Sequence, residues 1–168
     1  MKRLAFYFIV LLQILFLIGV ALSYSAVERW GETIRLKTAP VDPHDPFYGE
    51  YVTLNYDIEQ LSESHWEGAD PEQGSTVYVE LQQEDEFWQV KRASGNTFEP
   101  REGAVILKGM LRHSDRNRGT YWVDYGMNRF YVEEGTGEQF EERQSPLIVE
   151  VGIAPWGQKR ILSVETQE

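Results

Sequence analysis

The sequence contains no cysteine. Disulfides, thiolate zinc sites, iron–sulfur clusters and cysteine nucleophiles are thereby all excluded. Histidine is scarce, and His44, His65 and His113 stand far apart. Basic residues are in deficit, with 16 Lys and Arg against 27 Asp and Glu and a net charge of −11. Once Lys2 and Arg3 at the extreme N-terminus are set apart, the remainder is more acidic still. Such a surface repels phosphate backbones and anionic lipid headgroups, which makes nucleic acid a poor partner. Gly-x-Ser-x-Gly, Ser-x-x-Lys and His-Glu-x-x-His are all absent, so no catalytic residues can be assigned from sequence. Internal repeats, low-complexity tracts and long linkers are missing too. One domain must therefore be held by its core alone, and its length permits that.

One long apolar run is present. Leu4 to Leu22 is broken only by Gln13 and follows Met1-Lys2-Arg3. As a helix it is roughly 28 Å long, close to the hydrocarbon thickness of a bilayer. The flanking Lys2 and Arg3 favour a cytoplasmic N-terminus and an exported C-terminal bulk. The competing reading is a cleaved signal peptide, with small residues at Ala21-Leu22-Ser23 or Ser23-Tyr24-Ser25. The run is longer than the usual signal core, which favours a retained anchor. The expected organisation is a cytoplasmic tip (1–3), a transmembrane helix (4–22), a membrane-proximal connector (23–32) and an extracytoplasmic domain (33–168).

Beyond Trp30 the apolar pattern has a period of two, the signature of half-buried strands. Ile34 and Leu36 alternate with Arg35 and Lys37. Val52, Leu54, Tyr56 and Ile58 share one face, and Val77, Val79 and Leu81 another, opposed by Thr76, Tyr78, Glu80 and Gln82. An acidic turn, Gln83 to Glu86, joins the latter to Phe87–Arg92 as a hairpin. Further runs span 104–112, 120–125, 129–132, 147–153 and 159–164. About nine strands with Gly- and Pro-rich punctuation predict a compact antiparallel β-barrel or sandwich. One or two short helices are expected, near Leu61–Trp66 and over Gly137–Arg143, the latter led by Thr136 and Gln139 as a capping box.

The stretch Gly49-Glu50-Tyr51-Val52-Thr53-Leu54-Asn55-Tyr56 resembles the motif of the GDYXXLXY family of bacterial membrane-anchored proteins. Gly49, Tyr51, Leu54 and Tyr56 match, and Glu50 replaces Asp. The preceding Pro40–Pro46 is similar to that family's lead-in, and Tyr125-Gly126 with Arg129–Gly135 resembles a second shared block. The resemblance implies a multi-spanning membrane protein as partner and no assigned activity. Read on their own terms, Leu54 and Tyr56 belong to the core, and Gly49 sits where a turn enters a strand. Tyr51 falls on the opposite face with Thr53 and Asn55.

Asp42, His44 and Asp45 could ligate a divalent metal, but Asp before Pro is an ordinary turn initiator and no second His cluster supports a site. Glu133, Glu134, Glu138, Glu141 and Glu142 lack calcium-loop spacing and read as a solvated face. No metal or cofactor is expected. The tryptophans read mainly as packing residues, although Trp66 and Trp156 lie in turn-like settings that suit an interface. The expected function is a non-enzymatic accessory domain docking on a polytopic membrane protein. Contact is expected through Asp42, His44, Asp45, Glu50 and Tyr51, with Arg129 and Glu134 as second choices. The alternative is a membrane-anchored envelope hydrolase whose acid–base pair is not identifiable from sequence.

Overall fold

The computed structural model describes residues 2–39, 51–115, 117–131 and 146–166. A single helix, α1 (Lys2–Trp30), precedes the strands. It passes without a break through the expected connector at Ser23–Trp30, because no glycine or proline interrupts it there. Ser23 and Ser25 return their hydroxyls to the carbonyls of Val20 and Ala21. The helix is long and apolar enough to cross a membrane.

Gly31 ends α1. Its N–H still donates to Val27 O at 2.8 Å. A Cβ there would lie 2.3 Å from Val27 O and 3.1 Å from Ile153 O, so only glycine allows so tight an exit from helix to strand. Val27 is fully buried against the domain, with Cγ1 3.2 Å from where a Cβ on Gly152 would stand.

The strands are β1 (Glu32–Ala39), β2 (Tyr51–Thr53), β3 (Asn55–Tyr56), β4 (Gln60–Ser62), β5 (Trp66–Glu67), β6 (Thr76–Glu84), β7 (Phe87–Ser94), β8 (Ala104–Asp115), β9 (Thr120–Asp124), β10 (Arg129–Tyr131), β11 (Leu147–Ile153) and β12 (Lys159–Thr166). They form a four-stranded sheet ordered β12-β11-β1-β3, a two-stranded ribbon β10-β2 and a six-stranded sheet β4-β9-β8-β6-β7-β5. Pairing is antiparallel throughout except for β5 beside β7. The two larger sheets share one core, in which Ile34, Leu36, Val149 and Val151 meet Leu61, Val79, Leu81, Leu107 and Val123.

The expected strands are present, but the run from Val52 to Ile58 breaks into β2, β3 and a 3-10 turn, Asp57–Glu59. Near Leu61–Trp66 there is likewise a single 3-10 turn, Glu63–His65, between two strands rather than a short α-helix. The expected turn at Pro40–Pro46 and the helix over 137–143 lie outside the described residues.

Glu80 departs from its expected exposed face. It is fully buried, because Arg92 and the 99–101 segment cover it. Its Oε2 accepts from Arg92 Nη2 at 2.9 Å and from the Arg101 N–H at 3.0 Å, and Arg101 Nε is 3.6 Å from Oε1. Burial opposes the charge, but these donors and the two guanidinium groups hold the carboxyl below the usual carboxylate range. The β6–β7 turn itself is tight, with Asp85 in the left-handed region at φ 54°, which aspartate tolerates better than most residues.

Candidate docking ribbon

Segments 51–62 and 120–131 run antiparallel in one register that is paired at both ends. Gln60 pairs with Trp122 and Ser62 with Thr120. At the other end Thr53 pairs with Arg129 and Tyr51 with Tyr131, and the Leu54 N–H donates to Asn128 O at 3.0 Å. Between them the ladder opens where Asp57–Glu59 turns and Gly126 adopts φ 69°.

Two buried tyrosines bridge the gap from opposite sides. Tyr56 Oη donates to Met127 O at 2.9 Å, and Tyr125 Oη donates to Ile58 O at 2.8 Å. Each satisfies a carbonyl that the broken ladder would otherwise leave without its partner. Burial, with the Glu59 charge adding to it, pushes both phenols well above their ordinary value, so they stay protonated donors.

The opening also collects charge. Arg112 holds Asp124 Oδ2 with Nε at 3.1 Å and Nη2 at 3.0 Å, while Asp124 Oδ1 accepts the Gly126 N–H at 2.7 Å. Burial, reinforced by Asp124 and opposed by Arg112, raises the Glu59 carboxyl to about 7. Lys159 donates to the Lys108 carbonyl and lies 5.9 Å from the centre of the Tyr125 ring. Burial lowers its ammonium to about 8; Asp124 opposes the shift and Lys108 adds to it.

The outer end of this arrangement is the β2–β10 ribbon. Arg129 and Tyr131 are exposed, Tyr131 at 69%, while Phe130 between them packs against the core. Two of the sequence-expected contacts therefore meet: Tyr51 holds the register position opposite Tyr131, two residues along from Arg129. Leu54 and Tyr56 beneath them are buried. Asp42, His44, Asp45, Gly49, Glu50 and Glu134 lie outside the described residues. β3 pairs with Thr38 and Ala39 at the end of β1, so the ribbon stands about 23 Å along the strand from the α1 exit.

The family model described as "GDYXXLXY protein" matches residues 13–164. The chain belongs to the GDYXXLXY family. No curated protein and no solved structure matches it. The motif that names the GDYXXLXY family thus supplies β2 and β3, and the segment that pairs with β2 lies far downstream in the chain.

Sequence reasoning missed the charged cluster of Glu59, Asp124, Arg112 and Lys159. Its members come from four separate elements, and nothing in their spacing announces the meeting. The Glu80–Arg92 pair was within reach, because both residues belong to one hairpin. A bulge between Glu80 and Leu81 sets Arg92, rather than Lys91, opposite Glu80. Trp66, expected in a turn-like setting, lies against Tyr121 with centroids 5.1 Å apart and donates Nε1 to Ala69 O at 2.9 Å. A shallow groove lined by Asp70, Glu72, His113 and Asp115 includes none of the ribbon residues. Among the described residues no group of three or more His, Cys, Asp or Glu is placed to hold a metal ion.

Proposed function

We propose that this is a single-pass membrane protein whose β-domain acts as a non-enzymatic accessory module, docking on a multi-spanning membrane protein through the β2–β10 ribbon. α1 is the anchor, with its N-terminus cytoplasmic and the domain on the exported side, in keeping with Lys2 and Arg3 on the N-terminal flank. The observation that carries the docking reading is the pairing of β2 with β10. Two segments far apart in the chain, each resembling a shared block of the family, meet there as one ribbon. An exposed tyrosine beside an arginine is also the composition that protein interfaces favour. Anchoring raises the local concentration at the membrane, so a small contact suffices between the ribbon and an exported segment of the partner that stands clear of the bilayer.

The hydrolase reading would draw on Glu59 and Lys159, which titrate near neutrality. Their surroundings favour a structural role. A backbone hydrogen bond from Tyr56 engages Glu59, and Lys159 is directed onto the Lys108 carbonyl.

The test is recovery of partners from native membranes in mild detergent. Full-length protein is compared with Arg129→Glu, Tyr131→Ala and a chain lacking residues 1–22. A multi-spanning protein recovered with the parent and lost with both ribbon variants supports the reading. Equal recovery with the ribbon variants, or none with the folded parent, overturns it.

A further inference from the structure

We propose that the opposite end of the domain, where α1 meets the β11–β12 turn, rests in the headgroup layer of the bilayer, with Trp30 and Trp156 as interfacial anchors. The inference rests on α1 spanning the membrane and adds a second, lipid-facing surface to the docking ribbon.

Depth comes first. The chain is uncharged from Leu4 to Val27, roughly 36 Å of helix against a hydrocarbon layer of about 30 Å. Val27 therefore stands at the boundary between acyl chains and headgroups. Val27 is also the α1 residue buried against the domain: its Cγ1 and Leu162 Cδ1 of β12 stand 3.2 and 3.4 Å from where a Cβ on Gly152 of β11 would be. The sheet thus touches the helix at headgroup depth.

The β11–β12 turn follows directly. Ile153, last in β11, pairs with both Glu32 and Lys159, so the turn caps the sheet at the α1 exit. Two backbone bonds close it: Ala154 N–H donates to Gln158 O at 2.7 Å, and Gly157 N–H donates to Ala154 O at 2.8 Å, with φ 87° at Gly157. Its tip carries Trp156, 54% exposed, whose indole N–H is satisfied by Gln158 Oε1 at 3.0 Å. Trp30, 70% exposed, ends the helix, and the residue after it, Gly31, lies against Ile153 at the base of the turn.

Composition agrees with that placement. Outside α1, the exposed large apolar side chains among the described residues are Met110, Tyr131 and Trp156. Indoles with one apolar side are the residues that settle at membrane–water interfaces. Arg29 and Arg160 flank them, with Glu28 3.9 Å from Arg160 and Glu32 opening β1. This balance of charge sits on a chain that is elsewhere strongly acidic, and it permits close approach to phosphate headgroups.

Tryptophan quenching tests the inference. The full chain is reconstituted into vesicles of phosphatidylcholine and phosphatidylglycerol with brominated acyl chains, alongside Trp156→Phe and Trp30→Phe. Both sites are exposed, so folding is retained. Expected is a fall in the quenchable share of emission for each variant. A fall for Trp30→Phe with none for Trp156→Phe overturns lipid docking of the turn and leaves the anchor standing. Protein that fails to float with the vesicles after alkaline extraction overturns the anchor and this inference together.

Discussion

Replacing Tyr56 or Tyr125 with phenylalanine removes one oxygen and nothing else, and the structure states which carbonyl loses its partner. In Tyr56→Phe it is Met127 O, and in Tyr125→Phe it is Ile58 O. Both hydroxyls are buried in the core, with the side chains at 3% and 1% exposure, so water does not readily replace them. A buried acceptor left unsatisfied costs about 1–3 kcal/mol. For a domain of this size that corresponds to a fall in Tm of roughly 3–10 °C per substitution.

Thermal unfolding followed by near-ultraviolet circular dichroism, in detergent that keeps α1 solubilised, measures the loss. The double variant should fall short of the sum, because the two bonds span the same gap and neighbouring sites couple. A local readout separates ribbon loosening from general destabilisation. The Leu54 amide, bonded to Asn128 O, should exchange faster in Tyr56→Phe than in a core variant of equal stability. Melting within 1 °C of the parent in both single variants (roughly 0.3 kcal/mol), or unchanged exchange at Leu54, would refute the view that the hydroxyls replace the missing ladder.

Glu59→Gln tests the charged opening. Because the folded carboxyl is raised to about 7 and the unfolded one titrates near 4.3, the stability it contributes is full in acid and lost as pH rises through 7. Urea midpoints should match the parent at pH 4 and exceed it at pH 8; a constant difference across that range would exclude Glu59 as the titrating group. Glu80→Gln has the opposite sign, since its folded carboxyl is depressed. The variant should be less stable at pH 7, with the gap closing as pH falls below the unfolded carboxylate value, and equal midpoints at pH 7 would contradict the pairing. Gly109→Ala places a Cβ 2.4 Å from Val123 Cγ1 and 3.0 Å from Asp124 O. Overpacking of this kind costs about 1–3 kcal/mol, which a shift of the urea midpoint at constant slope should report.

Much of the β-domain was legible because its strands obey a period of two with one face buried. Ile34 and Leu36, and Val77, Val79 and Leu81, were readable as core strands from spacing alone, and they are; Leu147 to Ile153 was readable instead as an unbroken apolar run, and it is buried on both faces. Reading failed where the buried face is polar. Glu80 alternates correctly with its neighbours, yet a loop and two arginines enclose it, and periodicity does not register a covering loop. The same limit applies at Val52–Ile58. One face is marked as apolar, but nothing local says that the strand must break at Leu54 so that its two halves can pair with different sheets.

The break at Leu54 also gives the motif its physical sense. Tyr51 to Tyr56 marks the place where one strand leaves β1 and crosses to β10. Leu54 is fully buried at the crossing, and its N–H supplies the bond to Asn128 that neither flanking strand provides. Tyr56, two residues on, holds Met127 on the same partner segment. A buried apolar residue and, two positions on, a tyrosine hydroxyl therefore serve the crossing itself, whatever the ribbon contacts. The positions beyond them, Tyr131 and Arg129, are exposed. A family in which the crossing residues stay fixed while residues at these two exposed positions vary together with the partner would be one that docks through the ribbon. Invariance of all four would instead point to a single ligand common to every member.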